Sequence, residues 1–216
     1  MEKVIFININ DNLSTLIDEI YRNMIKISEL KETNIDKIGS VVGGGTPSTK
    51  KQTYWGGKIP WLTPKDLSQN PTLFTSYGNK FITRSGLDNS SAKILPPKTI
   101  LFSSRAPIGY ISISKNKLAT NQGFKSIIPN KGYPYSFIYE LIKNETNKLI
   151  NESNGSTFKE ISSKQLKQHV ISIPCKEEIN LFDNQVNKLF ETIQVLESET
   201  TTLNNLKKQL LSQFLN

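Results

Sequence analysis

The most regular pattern of apolar and polar positions lies near the end of the chain, in residues 176–214. Apolar residues recur there with spacings that alternate between four and three for more than four heptads, as at the a and d positions of a coiled coil. No glycine or proline interrupts these 39 positions, which predicts one helix roughly 58 Å long. The a and d positions are Phe182, Val186, Leu189, Ile193, Leu196, Thr200, Leu203, Lys207, Leu210 and Phe214.

Two structural interpretations fit this segment. A helix in the core of a bundle usually buries a broad stripe, whereas these positions form a narrow seam flanked by Glu, Asn, Lys and Gln. The narrow seam favours a coiled coil that needs a partner helix. Thr200 and Lys207 place polar groups in the seam, where they either fix the register or leave a polar surface for another protein.

A shorter pattern with the same spacing opens the chain. Residues 1–9 are an apolar segment of no assigned state, and the polar residues 10–12 are suited to cap a helix that begins there. The helix is predicted to run to about Thr33, so it can face only half of the long seam. The uncovered half is expected to pair with another chain. The apolar face of this first helix consists of Leu13, Ile17, Ile20, Met24 and Ile27.

Between the two helices, the chain changes to short β-branched or aromatic runs separated by Gly, Pro, Ser and Asn turns. Strands are predicted at residues 99–104, 108–114 and 124–129. One helix is predicted from Tyr135 to about Ile150, with an apolar face made of Ile138, Leu141, Ile142 and Leu149.

The predicted fold class is therefore α+β, with three parts. Residues 1–33 hold the short N-terminal helix, residues 34–174 form a mixed β-rich globular domain, and residues 175–216 form the long coiled-coil helix. We call residues 34–174 the body.

The positive charge is concentrated in the body. Between Lys37 and Pro134, twelve lysines and two arginines face two acids, a net charge of +12, whereas the rest of the chain carries −4 of the total of +8. This asymmetry is expected when the body binds a polyanion such as DNA. The alternative is a solvated lysine-rich surface with no ligand.

Composition also excludes several classes of protein. The chain has no run of eighteen apolar residues and no signal-peptide pattern, so we expect a cytoplasmic protein with no membrane partner. It has one cysteine, Cys175, and one histidine, His169, which excludes an internal disulfide and a zinc site of soft ligands. Both are expected to be packing residues, and no cofactor is expected.

Catalytic motifs are missing from the sequence. There is no NPPY-type or DPPY-type tetrad for base methylation, no glycine motif for S-adenosylmethionine, and no cluster of carboxylates for a metal-dependent nuclease. A stand-alone DNA-modifying enzyme is therefore disfavoured, and binding without catalysis is expected.

The candidate DNA contacts are polar or basic side chains on predicted turns. The glycine-rich segment 41–51 lacks the spacing of a phosphate-binding loop for nucleotides. It is either a flexible turn that presents polar side chains to a phosphodiester backbone or a plain turn. Its candidate contacts are Thr46, Ser48, Thr49, Lys50 and Lys51.

Other candidates lie on later turns. Arg105, with Ser104, sits between two predicted strands, where its guanidinium suits guanine or phosphate, although bracing of the loop is equally common. The amides of Asn121 and Gln122 suit adenine edges. The remaining candidates are Lys65, Lys80, Arg84, Thr157 and Lys159.

Taken in order, the motifs resemble the DNA specificity (S) subunit of Type I restriction-modification systems. The series extends over about 175 residues. It consists of Ile38-Gly39, GGGTPS (43–48), WGG with IPW (55–61), SSRAPIG (103–109), TNQGFK (120–125), GST (155–157), and Ile173-Pro174 before a glutamate-rich entry to the long helix.

The resemblance implies a non-catalytic subunit. In that family a target recognition domain binds one half of a split double-stranded DNA site, and a long helix sets its distance from a second such domain. The helix also docks the modification (adenine methyltransferase) subunits and, through them, the restriction subunit. The alternative function is a coiled-coil interaction protein whose basic charge is incidental.

The chain departs from the family pattern in length. The common member has two recognition domains and two helical regions, whereas one of each is present here, which is typical of a half subunit. A homodimer through the long helix would place one body at each end of the rod and would read an interrupted palindrome.

Overall fold

In a computed structural model, residues 2–153 and 159–214 are described, with side chains from residue 9 onward. The helices are α1 (Glu2–Ile27), α2 (Ile35–Ile38), α3 (Pro64–Gln69), α4 (Arg84–Asp88), α5 (Tyr135–Glu152), α6 (Ser163–Gln168) and α7 (Lys176–Phe214). The strands are β1 (Lys31–Asn34), β2 (Gly39–Gly43), β3 (Trp55–Leu62), β4 (Phe74–Thr75), β5 (Lys80–Ile82), β6 (Ile100–Ser104), β7 (Ile108–Ser114), β8 (Ala119–Thr120), β9 (Lys125–Pro129) and β10 (Val170–Ile173).

The strands form three sheets. A five-stranded sheet has the order β2-β9-β6-β7-β4, a three-stranded sheet has the order β5-β3-β8, and β1 pairs with β10. Pairing is antiparallel except for β4 with β7 and β3 with β8. The three strands and the helix predicted within the body are confirmed, as is the α+β fold class.

Strand β6 lies between two apolar cores. It is buried along its whole length, and because side chains alternate along a strand, its residues point into both cores. Ile100 and Phe102 belong to the main core with α1, α5 and α7, whereas Leu101 packs with Leu62 and Phe124 on the other side. The sheet is therefore fixed between the helices and the loops that carry the polar motifs.

Helix α1 differs from its prediction at both ends. It begins at Glu2, so residues 10–12 lie inside the helix and do not cap it, and the Thr15 hydroxyl donates to the carbonyl of Asp11, 2.8 Å away, as in a helix interior. It ends at Ile27, not near Thr33, because the following residues form β1.

The chain enters and leaves the body at one place. β1 pairs with β10 in antiparallel register from Lys31 opposite Ile173 to Asn34 opposite Val170. α1 ends just before this ribbon and α7 begins just after it, so the C-terminal end of α1 and the N-terminal end of α7 lie at the same end of the body. Tyr21 of α1 contacts Phe182 of α7, and the two helices pack against each other.

The first half of α7 is part of the main core. Phe182, Val186 and Ile193 of the predicted seam are buried, and Leu189 packs against them. Ile179 and Phe190 are also fully buried, so this half buries a broader stripe than a two-in-seven seam. Phe190 makes edge contacts with Phe74, Tyr135 and Tyr139, which join the helix to β4 and α5.

The second half of α7 leaves the body. Leu196 and Thr200 are half-buried, and every residue of the helix from Leu203 to Phe214 except Asn204 is exposed. The exposed side chains include five large apolar ones, which leaves a stripe of one and a half heptads without a partner among the described residues. They are Leu203, Leu206, Leu210, Leu211 and Phe214.

The side chain of Glu197 attaches α7 to the backbone of residues 73 and 74 in the body. Its carboxylate accepts hydrogen bonds from the amides of Leu73, at 2.6 Å, and Phe74, at 2.9 Å. Burial raises the pKa of Glu197 to about 7, although both amides and Lys115 favour the charged form. The contact fixes the orientation of the helix against the end of the five-stranded sheet.

His169 and Cys175 have different environments. His169 is buried, as expected, but it bridges two carboxylates of α5: Nε2 lies 3.0 Å from Glu145 and Nδ1 lies 2.8 Å from Glu152. Cys175 is exposed, so its expected packing role is wrong. It precedes α7, where its amide donates to Glu178.

The His169 bridge predicts a pH-dependent stability. The hydrogen bond to Glu145, with a further one to Glu152, raises the pKa of His169 above its usual value. The bridge therefore stabilises the fold fully below the unfolded pKa of about 6.5, and this contribution is lost as the pH rises through the folded pKa. Replacing His169 with glutamine is expected to lower the free energy of unfolding by about 2 kcal/mol at pH 6 and by less at pH 8.5. Urea unfolding at both pH values tests this, and an equal loss at both would contradict it.

Candidate nucleic-acid interface

The glycine-rich segment is held by close packing. A Cβ on Gly44 would lie 2.0 Å from the carbonyl oxygen of Asn121, and one on Gly45 would lie 2.4 Å from the amide nitrogen of Ala92. The backbone of Gly45 donates to the carbonyl of Thr120 at 2.8 Å. The two glycines therefore allow the GGGTPS segment to lie directly against the TNQGF segment, a role that needs no flexibility.

Two tryptophans fix the same loop from the other side. The indole N–H of Trp61 donates to the carbonyl of Gly45 at 2.9 Å, and that of Trp55 donates to the carbonyl of Ser48 at 3.1 Å. The hydroxyl of Thr46 is hydrogen-bonded to the side-chain oxygen of Gln122. Two of the motifs chosen for DNA contact are thus joined into one surface.

The polar tip of this loop is open to solvent. Ser48, Thr49, Lys50 and Lys51 are exposed, and the Lys51 ammonium lies 3.1 Å from the hydroxyl of Tyr54. The loop therefore carries two exposed cations, and its Thr46 is hydrogen-bonded to Gln122, which is also exposed. The arrangement suits contacts with phosphates beside contacts with base edges.

Arg105 lies on a turn between β6 and β7, as predicted, and is paired with an acid. Its Nη1 is 3.3 Å from Glu160 Oε2, and Lys125 Nζ is 3.7 Å from Glu160 Oε1. Lys125 also donates to the carbonyl of Gln122, at 3.2 Å, and burial lowers its pKa. Arg105 is therefore connected through Glu160 and Lys125 to the Thr46–Gln122 surface, and part of its charge is used in bracing the turn.

Two candidates are turned away from solvent. Ser104 is fully buried and donates to the carbonyl of Gly123 at 3.2 Å, so its prediction as a DNA contact is wrong. It lies on β6, both faces of which are covered. Asn121 is half-buried, and its side-chain oxygen accepts from the amide of Gly123 at 2.9 Å, which closes the TNQGF turn.

The other candidates lie around these loops. Lys65 and Lys80 are exposed, and Lys80 lies over the Trp55 ring, 5.4 Å from its centroid. Arg84 is exposed on α4 and pairs with Asp88 at 2.8 Å. Lys159 is exposed and donates to the carbonyl of Ile150 at 3.4 Å. Thr157 lies outside the described residues.

Several side chains at this surface were not predicted from sequence. Glu160 and Lys125 are brought to Arg105 by pairing between distant segments, for which no local pattern exists. Tyr77 and Phe81 form an exposed ring pair next to Lys80. The sequence signal that could have indicated this pair is two aromatic residues four positions apart, one of them next to a lysine.

The described part of the chain contains no group of three or more side chains placed to hold a metal ion. No helix within residues 2–153 and 159–214 has the length and apolarity that a membrane span needs.

Comparisons with known proteins agree on one family. The model for the Type I restriction modification DNA specificity domain matches residues 27–213. The Type I restriction enzyme MjaIX specificity subunit of Methanocaldococcus jannaschii is 41% identical over 191 residues, which cover 79% of this chain and 44% of that protein. The EcoR124I/EcoR124II specificity subunit of Escherichia coli is 27% identical, with 88% and 46% covered.

The fold is also found among solved structures. The crystal structure of the HsdS subunit from Thermoanaerobacter tengcongensis is similar with a TM-score of 0.57 at 14% identity, covering 97% of this chain and 52% of that chain. The chain spans about half the length of the curated relatives it matches. With the family model covering most of its length, the chain belongs to the Type I restriction modification DNA specificity domain family.

Proposed function

We propose that the body binds one half of a bipartite double-stranded DNA site and does not itself catalyse a reaction. The main support for this proposal is a continuous surface. It joins the 44–51 loop to the 120–122 turn and, through ion pairs with Glu160, to Arg105. This surface lies on a body with a net charge of +12 between residues 37 and 134. The relatives are named specificity subunits, which supports a recognition role.

The contacts divide by chemistry. Lys50, Lys51, Lys65 and Lys80 are exposed cations without a salt bridge to a described acid, so we assign them to phosphates. Gln122 and Arg105 carry the amide and guanidinium groups that read base edges, and we assign them to direct readout.

Helix α7 supplies the second part of the proposal. We assign its exposed apolar stripe from Leu203 to Phe214 to pairing with a second copy of this chain, which would restore the two-domain layout of longer family members. Modification subunits would dock on this paired rod and bring the restriction subunit with them. Adenine methylation and cleavage would then belong to those subunits.

DNA affinity as a function of salt tests the binding proposal. Neutralisation of several phosphates predicts that affinity for duplex DNA falls steeply between 50 and 200 mM salt, by about a thousandfold for six contacts. Fluorescence anisotropy with a labelled duplex measures this. Weak affinity that does not change with salt would favour the alternative, a coiled-coil interaction protein with incidental charge.

Arg105 separates base readout from phosphate contact. Arg105→Ala is expected to weaken binding to the cognate site by roughly 10–100-fold, as for a bidentate guanine contact, and binding to random DNA by much less. Arg22→Ala, on α1 and exposed, removes the same charge outside the body and is the matched control. Equal losses on cognate and random DNA would reduce Arg105 to a phosphate contact.

A further inference from the structure

Two aromatic rings are exposed to solvent, one in the loop between β4 and β5 and one on β5. Tyr77 is 51% exposed and Phe81 is 36% exposed, with ring centroids 6.4 Å apart and planes inclined by 26°. Aromatic rings are usually buried in a soluble protein, because burying each one removes a large apolar area from water. Their exposure at the edge of the basic surface therefore indicates a ligand.

The rings are held on an anchored loop. The amide of Asn79 donates to Asp66 at 2.9 Å, and the side-chain amide of Asn79 donates to Gln69 at 3.3 Å. Gly78 packs directly against the Asp66 carboxylate, so close that a Cβ would lie 2.7 Å from it. The same carboxylate closes the capping box with Thr63 at the start of α3. The ring pair is thus presented in a fixed position, and the nearby acid has its hydrogen bonds satisfied.

A groove beside the rings combines aromatic walls with positive charge. It has a volume of about 400 Å³ and is lined by Trp55, Gly56, Gly57, Asn79, Lys80 and Phe81. Lys80 lies over the Trp55 ring, whose N–H holds the loop that carries Lys50 and Lys51. Aromatic rings flanked by cations are the usual means of binding an unstacked nucleobase together with its phosphate.

We propose that Tyr77, Phe81 and Lys80 form a stacking platform for one unstacked base of bound double-stranded DNA. This inference rests on the proposed DNA binding and adds to it a position where the duplex is opened or kinked. Tyr77 and Phe81 supply the ring faces, and Lys80 neutralises the adjacent phosphate. The cost of unstacking varies between base steps, so the platform makes binding depend on DNA deformability there.

The test uses the chain in complex with a modification subunit, without methyl donor, on duplexes that carry its mapped methylation site. The fluorescent base 2-aminopurine is substituted at one position at a time. In the wild type, fluorescence is expected to rise several-fold at one position besides the methylatable adenine. The latter is extruded by the methyltransferase and serves as an internal control.

Variants assign this signal to the ring pair. Tyr77→Ala with Phe81→Ala should abolish the additional signal, lower affinity about tenfold and leave its salt dependence unchanged, while the adenine signal remains. The exchange Tyr77→Phe with Phe81→Tyr keeps both rings and should retain the signal. Lys80→Ala should reduce the slope of log affinity against log salt by about one. If the double alanine variant unfolds, Tyr77→Ala alone carries the test, since its ring is the more exposed.

Four outcomes would overturn the inference. A wild-type complex that binds its site and gives the signal at the methylatable adenine, but shows no additional fluorescent position, contradicts the platform and leaves the proposed function intact. An additional signal that persists in the alanine variants would assign it to other residues. Loss of modification-subunit binding in those variants would show that the groove holds a peptide of the partner. A wild-type complex that binds no duplex DNA contradicts both the inference and the proposed function.

Discussion

Replacing Gly45 with alanine is expected to lower the free energy of unfolding by about 3 kcal/mol and to abolish measurable DNA affinity at 150 mM salt. The new methyl group would lie 2.4 Å from the amide nitrogen of Ala92 and 2.3 Å from the Ser91 hydroxyl. Backbone cannot move away as a flexible side chain can, so the 44–51 loop must leave its position. Its lysines and the Thr46 contact with Gln122 would leave with it.

The adjacent glycines provide the controls. Gly44→Ala is expected to behave like Gly45→Ala, because its Cβ would lie 2.0 Å from the carbonyl oxygen of Asn121. At Gly43 the nearest atom would be the Ser163 hydroxyl at 3.7 Å, an ordinary contact, so Gly43→Ala should change stability by less than about 0.5 kcal/mol. Thermal unfolding and anisotropy of all three variants test this. Equal tolerance at the three positions would contradict the packing role.

Leu203→Asp with Leu210→Asp is expected to convert the proposed dimer into a folded monomer. Both side chains are about half exposed in one copy, at 43% and 53%. Each leucine buried in a pair contributes roughly 1.5–3 kcal/mol, and the change removes two from each copy, so the dissociation constant should rise at least about a hundredfold. Neither residue touches the main core, so the melting of the body should be nearly unchanged.

A control variant with the same added charge separates the effect of losing the apolar stripe from the effect of charge. Asn205→Asp with Gln209→Asp adds the same two charges on the opposite side of α7, and its dimer should persist. Light scattering at micromolar concentration, with and without the modification subunit, measures the mass. A wild-type chain that stays monomeric in both conditions would contradict the pairing proposal, and one that pairs only with a different specificity chain would replace it.

Local patterns predicted the three long helices, α1, α5 and α7, and three of the ten strands that the structure describes. The spacing of Phe182, Val186 and Ile193 predicts the long helix, because helical periodicity is a property of neighbouring residues and needs no tertiary information. Strands β6, β7 and β9 of the body and helix α5 follow from the same kind of local signal. The division of the chain into three domains and the DNA contacts remain predictions.

The features that were not predicted from the sequence depend on contacts between distant segments. The sequence near Thr33 reads as the end of a helix, but it pairs with residues 170–173, and that partner lies far along the chain. The glycines of GGGTPS indicated a flexible turn because the backbone of Asn121 packed on them cannot be known from the motif. Ser104 was chosen as part of a turn, whereas its strand is buried on both faces.

The width of the buried stripe on α7 is a second feature that the sequence did not predict. The narrow a and d seam of α7 predicted a coiled coil with a partner helix, yet Ile179 and Phe190 join the buried stripe because α5 and β4 pack against α7. The same helix therefore has two environments, a core half and an exposed half. The a and d spacing alone does not distinguish them, since it continues through both halves.

Mapping of methylated adenines tests the central claim most directly. The chain is expressed with a Type I modification subunit in cells that lack other adenine methyltransferases, and the genomic DNA is sequenced for N6-methyladenine. Two identical recognition bodies related by a two-fold axis predict methylation at an inverted repeat interrupted by a fixed spacer. Gly45→Ala should remove this methylation and Gly43→Ala should retain it. Methylation at an asymmetric site, or none in the presence of an assembled complex, would contradict the account.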